Sequence, residues 1–177
     1  MPAFIGHGAA RGQGPQTGAA AGVTPMEEAL DEARAAAARG EVPVGAVVTD
    51  AAGAVLSRAG NEVEARGDPS AHAEVLALRA AAGAAGRKWL PGATLWVTLE
   101  PCPMCAAAAS LFRVRRVAFG AYDPKGGGVE HGARVFAAAS CHHAPEVVGG
   151  LREAECAALL RGFFAGLRRD GGGAAAS

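Results

Sequence analysis

His72 and Glu74, read together with Cys102 and Cys105, are the side chains of this sequence whose types and spacing could do chemistry together. One imidazole and two thiols from the run Pro101-Cys102-Pro103-Met104-Cys105 offer three donors suited to zinc. A structural zinc site closes with four protein ligands, whereas a catalytic one keeps a position open for water. On such an ion the pKa of water falls from about 15.7 to roughly neutral. A neighbouring carboxyl is then needed to carry the proton. Glu74, two residues from His72, leaves the ligand's helix face and is read as general acid and base. A lone Cys-x-x-Cys could be redox-active or half of a structural site, and a lone histidine an ordinary core or surface residue. Their conjunction points to one catalytic Zn²⁺ per subunit.

Two helix starts must place these groups. Asp68-Pro69-Ser70 predicts a helix that carries His72 and Glu74 in its first turn and ends near Gly83, and Cys102 opens another through about Phe112. The positive end of a helix dipole favours thiolate over thiol. Around them, Thr24-Pro25-Met26-Glu27 predicts a capping box and a helix to about Arg39. Strands are expected at 42–48, 54–58, 94–99, 116–121 and 146–148, the first two forming a hairpin about Ala51-Ala52-Gly53. Val129 to Ala139 reads as weakly helical. Cys156, Leu159, Leu160, Phe163, Phe164 and Leu167 recur at helical spacing in a last helix. Alternating strands and helices predict a three-layer α/β/α fold, a mixed sheet of about five strands covered on both faces.

The 177 residues suit one domain, expected over 24–169. Gly/Ala-rich stretches at 1–23 and 170–177 are expected to be disordered tails. Net charge is zero, so no global basic field announces a nucleic acid, although a local basic groove remains open. No secretory signal or membrane-spanning run is read, and four cysteines in such a chain read as metal ligands or free thiols. Cys141-His142-His143 is read as a polar surface loop, Cys156 as core, and Lys125-Gly126-Gly127-Gly128 as a mobile loop on the substrate side. Arg113, Arg115 and Arg116 could meet phosphates or form a solvated face.

The order H-x-E then P-C-x-x-C is the known signature of zinc-dependent nucleobase deaminases. Over about Thr24 to Arg169 the chain resembles the bacterial tRNA adenosine deaminases. The matching stretches are Glu41 to Val47, Asn61, Asp68 to Glu74, Thr98 to Cys105, Phe119 to Lys125, His143 to Val147, and Glu155 to Leu160 followed by Phe163-Phe164. The resemblance implies hydrolytic deamination of the wobble adenosine in a tRNA anticodon to inosine, with release of ammonia. It implies that Asn61 bonds the flipped base, that Asp123 meets a neighbouring sugar and Lys125 a phosphate, and that Phe164 lies at the substrate. Contact with a 2′-hydroxyl separates RNA from DNA. It also implies a cytoplasmic homodimer whose subunits both shape the RNA site. The chain departs from the family's usual run after Lys125, reading Gly126-Gly127-Gly128-Val129-Glu130-His131. Two other readings stay open: a deaminase of free guanine or cytosine, and a non-catalytic zinc-stabilised scaffold. An intact Glu74 speaks against the second.

Overall fold

The computed structural model describes residues 23–171, so most of both expected tails lies outside the described residues. Helix α1 (Pro25–Ala38) opens on the capping box, with Thr24 and Glu27 each satisfying the other's backbone N–H, and Gly40 follows its end with φ +82°. Strands β1 (Gly45–Thr49) and β2 (Val55–Gly60) form the hairpin. A single turn of helix, α2 (Val63–Arg66), follows and was not expected from the sequence. Then come α3 (Ala73–Ala84), β3 (Thr94–Leu99), α4 (Pro103–Leu111), β4 (Arg116–Ala121), β5 (Glu146–Val148) and α5 (Glu153–Gly171). The last helix runs past Arg169, where the tail was expected to begin.

The sheet order is β2-β1-β3-β4-β5. β1 pairs antiparallel with β2 and β3, and β3, β4 and β5 run parallel, so the sheet is mixed as expected. Side chains alternate across β1. Ala46 and Val48 join the core beneath α3 and α4 with Leu78, Leu95, Ala106 and Phe119. Val47 joins the other core, between the sheet and helices α1 and α5, with Leu30 and Cys156. This two-sided burial makes the three layers and turns β1 wholly apolar or small. The 129–139 stretch corrects an expectation, because its only helical part is a 3₁₀ turn at Val135–Ala137. Gly132 and Arg134 hold positive φ angles of +51° and +43°, which no right-handed helix accommodates. Among the described residues, no helix is long and apolar enough to cross a membrane.

Two glycines make opposite demands. At Gly45 an added Cβ would lie 2.0 Å from Ala29 O and 2.5 Å from Ala33 N, so α1 rests directly on the β1 backbone. At Gly162 in α5 nothing lies within 4 Å. Gly45→Ala is therefore expected to destabilise by about 1–3 kcal/mol through overpacking. Gly162→Ala is expected to stabilise by up to about 1 kcal/mol through helix propensity. Denaturant titration of the two variants checks both signs.

Candidate active site

His72 is the N-cap of α3 and Cys102 the N-cap of α4, and neither uses its side chain to cap. Each thus ends a loop in extended conformation with its side chain free to face the other. The carbonyls of both residues accept the opening helical bonds, from Leu76 N at 3.0 Å and Ala106 N at 2.9 Å. Cys105 lies in the first turn of α4 and is fully buried. His72 Nδ1 lies 3.7 Å from Cys102 Sγ and 3.5 Å from Cys105 Sγ. All three donor atoms fall within 4.8 Å of one another, the one such group among the described residues.

These separations fit zinc. Tetrahedral bonds of about 2.3 Å to sulfur and about 2.05 Å to nitrogen place the two donors about 3.6 Å apart. The Cys105 thiol, with help from His72, brings Cys102 down to about 4. The hydrogen bond to Cys102 and burial push Cys105 up, and His72 is raised chiefly by its bond to Cys102. Glu74 is buried beside them, and burial, followed in effect by the Cys102 thiolate, lifts its carboxyl above the ordinary range.

These groups form one end of a cavity of about 620 Å³, lined by His72, Glu74, Cys102, Asn61, Asp123 and Phe164 among others. That volume sits within the roughly 300–1,000 Å³ usual for small-molecule sites. Asn61, at the end of β2, is buried and donates through Nδ2 to Glu41 Oε2 at 3.1 Å. Its amide oxygen has no protein donor among the bonds found, so it remains able to accept. Phe163 and Phe164 meet edge to face, with ring centroids 5.5 Å apart, where α5 reaches the rim. Asp123 lines the cavity and folds back on its own turn, Oδ1 accepting from Lys125 N and Gly126 N. Lys125 is exposed and lies outside the lining.

Two carboxylates at this cavity were not singled out from the sequence. Glu41 accepts from Asn61 and from the amides of Glu64 and Ala65, thereby holding Asn61 and starting α2. Glu100 is buried beneath the 123–131 loop and accepts from four of its amides. In both, these hydrogen bonds outweigh burial and hold the carboxyl below the ordinary range. The glycine-rich loop is accordingly pinned, not mobile as expected. Outside the cavity, His143 Nε2 bonds Val114 O at 2.7 Å and Cys141 lies against Ser110, so that cluster serves the loop, as read from the sequence. Arg116 pairs with Glu146, and Arg113 stacks over Trp89.

Residues 23–121 match the cytidine and deoxycytidylate deaminase zinc-binding region. A tRNA-specific adenosine deaminase of Agrobacterium fabrum is 55% identical over 146 residues, 82% of this chain and 95% of that protein. A structure solved in work on A-to-I editing by tRNA:A34 deaminases at the wobble position is 54% identical, with TM-score 0.75 over 77% of this chain and 98% of that one. A guanine deaminase from Nitrosomonas europaea shares the fold at 25% identity and TM-score 0.69, over 80% and 83% of the two chains.

Zinc is the cofactor that this donor set and the matched region call for. Because the ligands must shed protons to bind, affinity is expected to fall as the pH drops and His72 and Cys102 take up protons. Competition with a chelator across the acid range, on protein holding one zinc per chain, measures this. Cys105→Ser is expected to weaken retention strongly at every pH. In its zinc-ligand geometry, its fold and its likeness to characterised proteins, the chain belongs to the cytidine and deoxycytidylate deaminase family, among the tRNA-specific adenosine deaminases.

Proposed function

We propose that this protein hydrolyses the amino group from the wobble adenosine of a tRNA anticodon, giving inosine and ammonia. The observation that carries the reading is the joining of His72, Cys102 and Glu74, with Cys105 buried behind them, to one cavity rimmed by Asn61, Asp123 and Phe164. High identity to a tRNA-specific adenosine deaminase extends over 82% of the chain and supports the same reading.

His72, Cys102 and Cys105 would hold Zn²⁺. When bound, the ion supplies a Lewis acid that makes water acidic enough to attack at neutral pH. Glu74 handles the protons: it takes one from water and gives it to a ring nitrogen, then takes the second from the hydroxyl added to the base and gives it to the departing amine. Asn61, held by Glu41, presents its amide oxygen to the polar edge of the base. Phe163 and Phe164 offer ring surface at the rim, against which a flipped base or its neighbour stacks. Asp123 and Lys125 then serve the flanking RNA, through a 2′-hydroxyl and a phosphate. In a loop, the base is unstacked more cheaply than from a duplex. This reading sets the enzyme in the cytoplasm with its tRNA, and no DNA partner is needed.

A homodimer belongs to the same proposal. The outer face of α4 leaves Leu111 74% and Met104 39% exposed, with Trp89 40% exposed nearby. Leu111 and Trp89 border a second cavity of about 570 Å³ beside the metal-ligand helix. Exposed apolar clusters of this kind suit association. Leu111→Asp is expected to give a monomer by sedimentation.

The direct test is inosine formation by zinc-loaded protein on an anticodon stem-loop bearing a wobble adenosine, with guanine, cytosine and free adenosine in parallel. Glu74→Gln is expected to keep zinc and lower turnover by at least about 10²-fold. Asp123→Ala is expected to impair RNA deamination far more than zinc binding. The guanine deaminase sharing this fold makes the free-base reading the rival. Ammonia from guanine with no inosine in the stem-loop would establish that rival instead.

A further inference from the structure

One buried carboxylate gathers both ends of the loop that carries Asp123. Glu100, between β3 and Cys102, has a side chain with no solvent exposure. Its Oε1 accepts from the amides of Val129, Glu130 and His131 at 3.3, 2.8 and 2.9 Å. Its Oε2 accepts from Asp123 N at 3.1 Å and meets His131 Nδ1 at 2.7 Å. Five donors thus converge from the start and the end of one loop.

The rest of the loop lies flat on the metal-ligand segment. Gly128 N donates to Pro101 O at 2.8 Å, and a Cβ there would sit 2.8 Å from Cys102 C and 2.5 Å from Pro103 N. A Cβ on Gly127 would sit 2.6 Å from Glu100 Cδ. The glycine run therefore lets backbone approach backbone, which no larger residue allows. The imidazole of His131 closes the clamp from outside. It is 37% exposed and stands edge-on to Tyr122, which in turn packs on core Phe119.

We propose that Glu100 and His131 are positioning residues that set Asp123 at the cavity rim in fixed register with Cys102, and so govern how the RNA flanking the target base is held. The role in RNA binding rests on the wobble-adenosine reading; the clamp itself does not. His131 contributes the one side-chain donor of the set, so the clamp can be weakened without removing any of the four amide donors.

Hydrogen exchange and kinetics test the two halves separately. In His131→Ala, exchange at the amides of Asp123, Glu130 and His131's position is expected to speed up about tenfold, the scale of one charge-assisted bond, while α1 and α3 are unchanged. KM for the stem-loop is expected to rise by about the same factor, with kcat within about twofold and zinc content intact. His131→Asn, whose amide can donate from nearly the Nδ1 position, is expected to restore both. In an Asp123→Ala background, His131→Ala is expected to add little to KM, since the two act through one contact. Glu100→Gln replaces an acceptor by a donor facing Asp123 N–H and is expected to have the larger effect. Unchanged exchange in His131→Ala would overturn the clamp. Faster exchange with an unchanged KM, or equal losses with and without Asp123, would overturn its role in holding RNA. Expected exchange with no inosine formed by the wild type would instead sink the wobble-adenosine reading.

Discussion

Three protein donors can share one small cation only if two helices begin within a few ångströms of each other. The sheet imposes that meeting. β3 stands beside β1 and β4, so the segment leaving its C-terminal end opens α4 next to the start of α3. His72 and Cys102 occupy matching N-cap positions, one on each helix. An N-cap lies just before the helical backbone, where φ and ψ are extended and the side chain can turn across the helix end. Most caps spend that freedom on their own helix. These two spend it on each other, with Nδ1 and Sγ 3.7 Å apart. The helix dipoles favour thiolate on Cys102 and Cys105. They equally disfavour a protonated imidazole, which suits the neutral ring that binds a metal.

Around that centre lie three buried glutamates, and their partners tell them apart. Glu41 and Glu100 each accept several backbone amides, which fix them as anions and make them structural anchors. Glu74 has no comparable set of amide donors, and burial raises it instead. A carboxylate tied to many N–H groups is a poor proton carrier, because protonation would break the bonds that hold it. A buried one with few donors has its carboxyl raised by burial and loses fewer bonds when it takes up a proton. The same residue type thus supplies a wall, a clamp and the proposed proton carrier within one cavity, and the distinction follows from how many donors each one has.

The centre was legible in the sequence because its determinants are local. Residue spacing fixes Cys102 against Cys105, and Asp68-Pro69-Ser70 and the prolines about Cys102 mark the helix starts. Strands 94–99, 116–121 and 146–148 were legible for the same reason: short apolar runs between turn residues. The Glu100 clamp was not. Its donors come from residues 23 to 31 positions away, and nothing in the local pattern of Thr98-Leu99-Glu100 assigns them. The glycine run at 126–128 was the available signal, and mobility was the wrong inference from it. Glycine also permits contact at distances that a Cβ forbids, and here contact is what the run provides. The helix expected at 129–139 failed for a linked reason: the amides of Val129, Glu130 and His131 are committed to Glu100. The α2 turn was hidden likewise, its opening amides being held by Glu41.

Floor and rim of the cavity carry different information. The floor, made by His72, Glu74 and Cys102 with Cys105 buried behind them, holds the groups proposed for the chemistry, and a guanine deaminase shares the fold at 25% identity, so the fold alone does not fix the substrate. The rim decides what reaches the floor. It is built from Asn61 on the hairpin, Asp123 on the clamped loop and the aromatic end of α5. Of these, Asn61 and Asp123 are tied to buried glutamates, whereas α5 ends in exposed residues and contains Gly162 and Gly166, at which an added Cβ would meet no other element within 4 Å. Such a rim sets polar groups against a base edge and a sugar, and leaves the α5 side, with Phe164 and Leu167 exposed, open to a substrate larger than the cavity. A free base needs no such open side, because it can be enclosed entirely. The open α5 side of the rim therefore favours a base presented on a polymer.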